Sequence, residues 1–105
     1  MDAILQVLEK LLARTNEGKI PWKTTVEEQS FAASFGATSV VIEKLFLGGY
    51  HFRILDEAGD EIESVTSSHL EGNAVMFPDL YDKARRLARD TDNKLEELLA
   101  ELDQV

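Results

Sequence analysis

Apolar residues recur with two different periods along this chain, and the changes of period divide it into three stretches. In the first, Ile4, Leu5, Leu8, Leu11, Leu12 and Thr15 fall on one face at helical spacing, with Arg14 in the last turn. This predicts a helix from Asp2 to Thr15, stopped by Asn16-Glu17-Gly18 with Gly18 as the left-handed residue. In the last stretch, Leu80, Ala84, Leu87, Thr91, Leu95, Leu98 and Leu102 alternate in steps of three and four. Tyr81, Ala88 and Leu99 widen that arc to roughly 120°. Pro78 suits a first helical turn, Asp79 and Asp82 favour the positive end of the dipole, and no Gly or Pro follows. The pattern predicts one amphipathic helix from Phe77 to Val105, the element whose apolar stripe the rest of the chain would cover.

Between the helices the period falls to two. Strands are predicted over Trp22–Val26, Phe31–Phe35, Val40–Phe46, Tyr50–Asp56 and Asp60–Thr66, joined by turn residues such as Gly48-Gly49 and Glu57-Ala58-Gly59. Short spacing makes them an antiparallel meander. A three-residue loop with Gly59 left-handed pairs Asp56 with Asp60, Ile54 with Ile62 and Arg53 with Glu63. A loop of Leu47-Gly48-Gly49 sets Ile42 opposite Ile54 and Glu43 opposite Arg53, which gives each face one character. One face would then carry Trp22, Phe31, Phe35, Val40, Ile42, Phe46, Tyr50, Phe52, Ile54 and Ile62, the seat for both helices. The other would carry a charge row of Glu43, Arg53 and Glu63, flanked by Val41, Leu45, His51, Leu55 and Val65. Residues 66–76 form the least patterned stretch and read as a loop.

Length and composition add bounds. With 105 residues the chain is one domain, residues 1–105, and its apolar content of 44% supports a packed core. No cysteine is present, which removes disulfides, thiolate metal sites and cysteine nucleophiles. No basic-then-apolar leader and no apolar run of membrane length is evident, so the expected location is cytoplasmic. A net charge of −9 disfavours nucleic acid and anionic membranes and favours solubility or a basic partner.

Motifs for chemistry are sparse. The acidic run Asp56, Glu57, Asp60, Glu61, Glu63 lacks calcium-loop spacing, since Gly59 is its fourth residue and Ser67 its twelfth. Asp90-Thr91-Asp92 fails too, because Lys94 and Leu95 stand where an oxygen ligand and a glycine are required. His51 and His69 are the two histidines and have no helical spacing to join them at a metal. Ser67 or Ser68 with His69 carries no nucleophile-elbow signature. Gly48-Gly49 joins two strands and is not a phosphate loop. Arg85, Arg86 and Arg89 form the one dense basic cluster and could meet a phosphate or an acidic partner, but Asp82, Asp90 and Asp92 lie within pairing distance along a helix. Trp22, after Pro21, reads as a plug between a helix and the sheet edge, with a surface anchor for a partner as the alternative.

The stretches Gly18-Lys19-Ile20-Pro21-Trp22 and Leu80-Tyr81, followed by Ala84-Arg85-Arg86, carry a resemblance. The layout resembles a group of short uncharacterised bacterial proteins with a first helix, a strand meander and a closing helix. The resemblance implies that topology across nearly the whole chain and implies no activity.

The expected fold is therefore α+β, with an N-terminal helix, a four- to five-stranded antiparallel meander and a long C-terminal helix, both helices on one sheet face. The expected function is a non-enzymatic protein-interaction module without cofactor or metal. Its partner would be a basic protein or a second copy of itself. Contact would be through Val41, Leu45, His51, Arg53 and Leu55 on the open sheet face, or through Arg85, Arg86 and Arg89. Alternatives are a small-ligand or effector domain with a pocket between sheet and helices, and an immunity- or inhibitor-type partner of a basic protein.

Overall fold

The computed structural model describes residues 3–67 and 76–105. Most of the stretch expected to form the loop before the closing helix, together with Ser68, His69 and the helix-start residue Asp2, lies outside them. The elements are α1 (Ala3–Asn16), β1 (Lys23–Thr24), β2 (Ser30–Phe35), β3 (Thr38–Lys44), β4 (Tyr50–Leu55), β5 (Glu61–Thr66), α2 (Met76–Ala88) and α3 (Thr91–Leu102). The five strands lie in sequence order in one antiparallel sheet, as the short turns require. The α+β arrangement expected from the two periods is present.

The first helix ends as its sequence dictates. Gly18 adopts φ 73°, its N–H donates to Thr15 O, and Lys19 N–H reaches back to Arg14 O. That is a Schellman closure, which a side chain at Gly18 would strain. The chain then turns so that the Trp22 indole N–H donates to Thr15 Oγ1 at 3.0 Å, both groups being buried. Trp22 is thus the plug between α1 and the sheet edge, and Thr15 satisfies the one polar atom that its burial strands. Thr15→Val keeps the shape and removes the acceptor. It is expected to cost about 1–3 kcal/mol in urea unfolding, because the indole N–H is then buried without a partner.

The core lies between the sheet and the pair α1 and α2. Ile4, Leu8 and Leu11 meet Trp22, Phe31, Ala33, Val40, Ile42, Phe52 and Val65 from the sheet, and Phe77, Leu80 and Ala84 from α2. Phe31, Phe52, Phe77, Leu8, Ile42 and Leu80 are the largest side chains buried completely.

Both hairpin registers differ from those that alternation predicts. In β3–β4, Ile42 faces Phe52, Val40 faces Ile54, and Glu43 faces His51 rather than Arg53. The loop is Phe46-Leu47-Gly48, closed by a Leu45 N–H bond to Gly49 O, one position earlier than Leu47-Gly48-Gly49. A slip of two leaves every residue on its expected face, so alternation could not detect it. Packing decides, because this register stacks the two fully buried side chains Ile42 and Phe52 as a cross-strand pair. The consequence is that Phe46, expected in the core, stands at the hairpin tip with 98% of its surface exposed.

The β4–β5 loop closes as expected, with Asp56 N–H bonded to Asp60 O and Asp56 Oδ1 accepting from Ala58 and Asp60 N–H. A bulge follows. Ile54 pairs with Glu63 and Leu55 with Glu61, leaving Ile62 between them. Beyond the bulge the faces are exchanged: Val65 lies opposite Phe52 in the core, and Ile62 is 58% exposed. Arg53 consequently faces Ser64, so the cross-strand row does not extend to Glu63. A sheet without the bulge would put Ser64 opposite Phe52, where a hydroxyl would need a partner among apolar groups.

The closing helix is broken. Asp90 sits in the left-handed region at φ 53°, ψ 41°, and separates α2 from α3. Asp is one of the few residues that tolerate that conformation, and its Oδ1 accepts from Asn93 Nδ2 at 2.9 Å. Arg86 Nη1 donates to Asp92 Oδ1 at 3.1 Å and ties the start of α3 back to α2. After the break α3 runs off the sheet and contributes no buried residue. The molecule is accordingly elongated, 54 × 31 × 26 Å, with a radius of gyration of 15.2 Å. A compact domain of this length has about 13 Å.

Candidate functional site

Candidate contact surfaces lie in three places, of which the first two hold the expected contact residues. On the sheet face away from the helices, Glu43, His51 and Arg53 form one cluster. His51 Nδ1 is 2.8 Å from Glu43 Oε1, where the carboxylate accepts its proton. Arg53 Nε is 3.6 Å from the same oxygen, near enough to pair by charge and too far for a hydrogen bond. These side chains lie over the strands, and Val41 is only 5% exposed among its neighbours. Leu45, His51, Arg53 and Leu55 are each partly buried. The face is uncovered by any described helix, yet it presents a closed charge cluster and little free apolar surface.

The basic cluster of the closing helix is divided by the helix itself. Arg86 is exposed and engaged with Asp82 at 3.7 Å and Asp92 at 3.1 Å. The Asp82 pairing follows from spacing along one helix; Asp92 replaces Asp90 as a partner because the break at Asp90 swings Asp92 round to Arg86. Arg85 and Arg89 turn the other way, towards the seam between α2 and the sheet. Arg89 stacks over the Phe31 ring with Cζ 5.4 Å from its centroid, and its Nη2 donates to Glu28 O at 3.0 Å. Tyr81 lies between them, 5.5 Å ring to ring from both Phe31 and Tyr50. Burial pushes the Tyr81 hydroxyl above its ordinary value, against the opposing pull of Arg85 and Arg89.

The third place is α3. Leu95, Leu98, Leu99 and Leu102 are 50%, 50%, 62% and 58% exposed. Ala88, Thr91, Leu95 and Leu98 line an open apolar groove that starts at the α2–α3 elbow, with Arg89 and Lys94 at its border. These leucines are the outer half of the stripe that alternation in threes and fours assigns to the core. A signal for the break does exist in the sequence: Asp90-Thr91-Asp92-Asn93 places four residues that favour caps and turns in the middle of the helical run. Lys44 and Tyr50, which line one cleft with Arg85 and Arg89, have no such local signal.

Among the described residues no group of three or more His, Asp or Glu side chains could hold a metal ion. No described helix is long and apolar enough to cross a membrane. Comparison of the chain with protein-family models, with curated proteins and with solved structures finds no match.

Proposed function

We propose that this chain is a small, acidic, non-enzymatic interaction module whose partner at α3 is a second copy of itself. The observation that carries the reading is α3: a two-sided helix with four leucines half or more exposed and no buried residue. A contiguous apolar face of that kind on a helix is a contact surface in search of cover.

Its pattern supports a second helix of the same kind as the cover. Within α3, Thr91, Leu95, Leu98 and Leu102 repeat in steps of four, three and four, the spacing of a helix-pair seam. Lys94 and Glu101 flank that seam on one side, and Leu99 flanks it on the other. In an antiparallel pair centred between Glu96 and Glu97, Leu95 of one copy layers on Leu98 of the other and Thr91 on Leu102, while Leu99 comes nearest Asp92 of the other copy. The same alignment brings each Lys94 opposite a Glu101. A parallel pair would put Lys94 beside Leu99 and forgo the Lys94–Glu101 pairing. The two-fold arrangement is thus self-complementary in its leucine layers and in its Lys94–Glu101 pairs.

The described α3 is about 18 Å long. Two such faces bury on the order of 1,000 Å², the lower limit for a specific interface, so the dimer is concentration-dependent. Sedimentation equilibrium from low micromolar to millimolar protein is expected to show monomer and dimer in exchange. Leu98→Glu, which puts a carboxylate into the seam of both copies, is expected to weaken it by about a hundredfold or more, with the thermal midpoint of the monomer unchanged. Lys94→Glu should also weaken it, and adding Glu101→Lys should restore it. A strict monomer at millimolar concentration would overturn the reading, and failure of the charge swap would overturn the alignment.

A further inference from the structure

Beside the α2–sheet seam lies a second feature, independent of α3's leucines. A cleft of about 430 Å³ opens between α2, the β1–β2 turn and the ends of β3 and β4, lined by Lys44, Arg85, Arg89, Tyr50 and Tyr81. Two carboxylates, Glu28 and Asp82, also border it. On a chain with 20 acids and 11 bases, a place where cations outnumber carboxylates runs against the average.

The pairing of the cations is uneven in an informative way. Arg14, Lys19, Arg53, Lys83 and Arg86 each lie within 4 Å of a carboxylate oxygen. Lys10, Lys23, Lys44, Arg85, Arg89 and Lys94 form no such pair among the described residues, and three of these six line this one cleft. Of the two carboxylates at the cleft, Asp82 is turned to Arg86, and Glu28 sits exposed on the turn. Arg89 is also held in place, with its face on Phe31 and one nitrogen donating to the Glu28 carbonyl. A guanidinium fixed in that way keeps its remaining donors aimed without ordering cost at the moment of binding. The two phenols, packed ring against ring, add hydroxyl donors at the same wall.

We propose that this cleft binds an oxyanion of the phosphate-monoester class, held by Lys44, Arg85 and Arg89 with Tyr50 and Tyr81 as hydroxyl donors. The volume suits a small molecule and not a macromolecular groove. Three cations lining one cleft match a dianion with three terminal oxygens, whereas a single carboxylate would use one guanidinium fork and leave the others idle. The polar lining, Pro78 apart, offers little to an apolar ligand.

The test is titration of the full chain with inorganic phosphate, with glycerol phosphate and with acetate, followed by amide and arginine side-chain NMR. Phosphate and glycerol phosphate should shift the signals of Arg85, Arg89, Tyr50 and Tyr81 saturably, with a dissociation constant below about 1 mM. Tighter binding of glycerol phosphate would assign the site to an organic phosphate, and equal binding to the free ion. Arg85→Gln and Lys44→Gln should each weaken it at least about tenfold, while Lys83→Gln, on a lysine paired to Asp79 outside the cleft, should leave it unchanged. Arg89 is left intact because it supports Phe31. Shifts that do not saturate, acetate binding as tightly as phosphate, or equal affinity in Arg85→Gln, Lys44→Gln and the parent would overturn the proposal. Because Leu98→Glu leaves the cleft untouched, phosphate binding in that variant separates this site from self-association.

Discussion

Phe31→Ala is expected to cost about 3–5 kcal/mol, the range for removing a large aromatic from a closed core. Phe31 is completely buried and is the point where the sheet meets α2. Its ring takes Tyr81 on edge at 5.5 Å and Arg89 over its face at 5.4 Å, so the cavity would lie beneath two side chains that cannot collapse into it without leaving their own partners. A domain of this size has about 5–15 kcal/mol in all, and the variant should sit near the edge of unfolding. Phe35 provides the comparison. It lies on the same strand and the same side, but at the strand end and only half-covered, so Phe35→Ala should cost less than about 1 kcal/mol. Urea unfolding followed by circular dichroism checks both. Equal losses would mean that the core is centred nearer the strand ends than Phe31.

How far the fold could be read from the sequence is clearest in the residues where alternation worked and where it did not. Periods of 3.6 and 2 located α1, the strands and the start of α2, because each rests on side chains of that element facing one neighbour. Gly18 and Gly59 were legible for the same local reason: a positive φ has few other occupants. The registers were not, since a slip of two preserves every face and a single bulged residue exchanges them. Both are decided by which side chain enters the shared core, a long-range choice that a turn does not carry. The broken closing helix falls between these cases. Its stripe continues in register through Asp90, so hydrophobic spacing reads straight across a break that only the cap-forming run Asp90-Thr91-Asp92-Asn93 betrays. The candidate sites divide in the same way. The α3 leucines were visible as a stripe but not as a free one. Arg85 and Arg89 were visible as a cluster, but their separation from Arg86 needs the sheet to be in place, as does the arrival of Lys44 and Tyr50.

Val65→Asp against Ile62→Asp tests the exchange of faces directly, and the two outcomes should differ by several kcal/mol. Simple alternation from the Asp56–Asp60 closure puts Ile62 in the core and Val65 on the opposite face. With the bulge the positions are exchanged, Val65 being 6% and Ile62 58% exposed. An aspartate at Val65 would place a carboxylate opposite Phe52, with no cation in the core cluster to receive it. The expected loss is about 4 kcal/mol or more, enough to bring the chain near the edge of unfolding. At Ile62 the same substitution adds one carboxylate to an exposed position on an edge strand already bearing Glu61 and Glu63, and the change should stay within about 0.5 kcal/mol. A charge there also blocks a further strand from adding to that edge. If instead Ile62→Asp unfolds the chain and Val65→Asp does not, β5 runs without its bulge, Ser64 lies under the helices, and the hairpin follows its turn rather than its core.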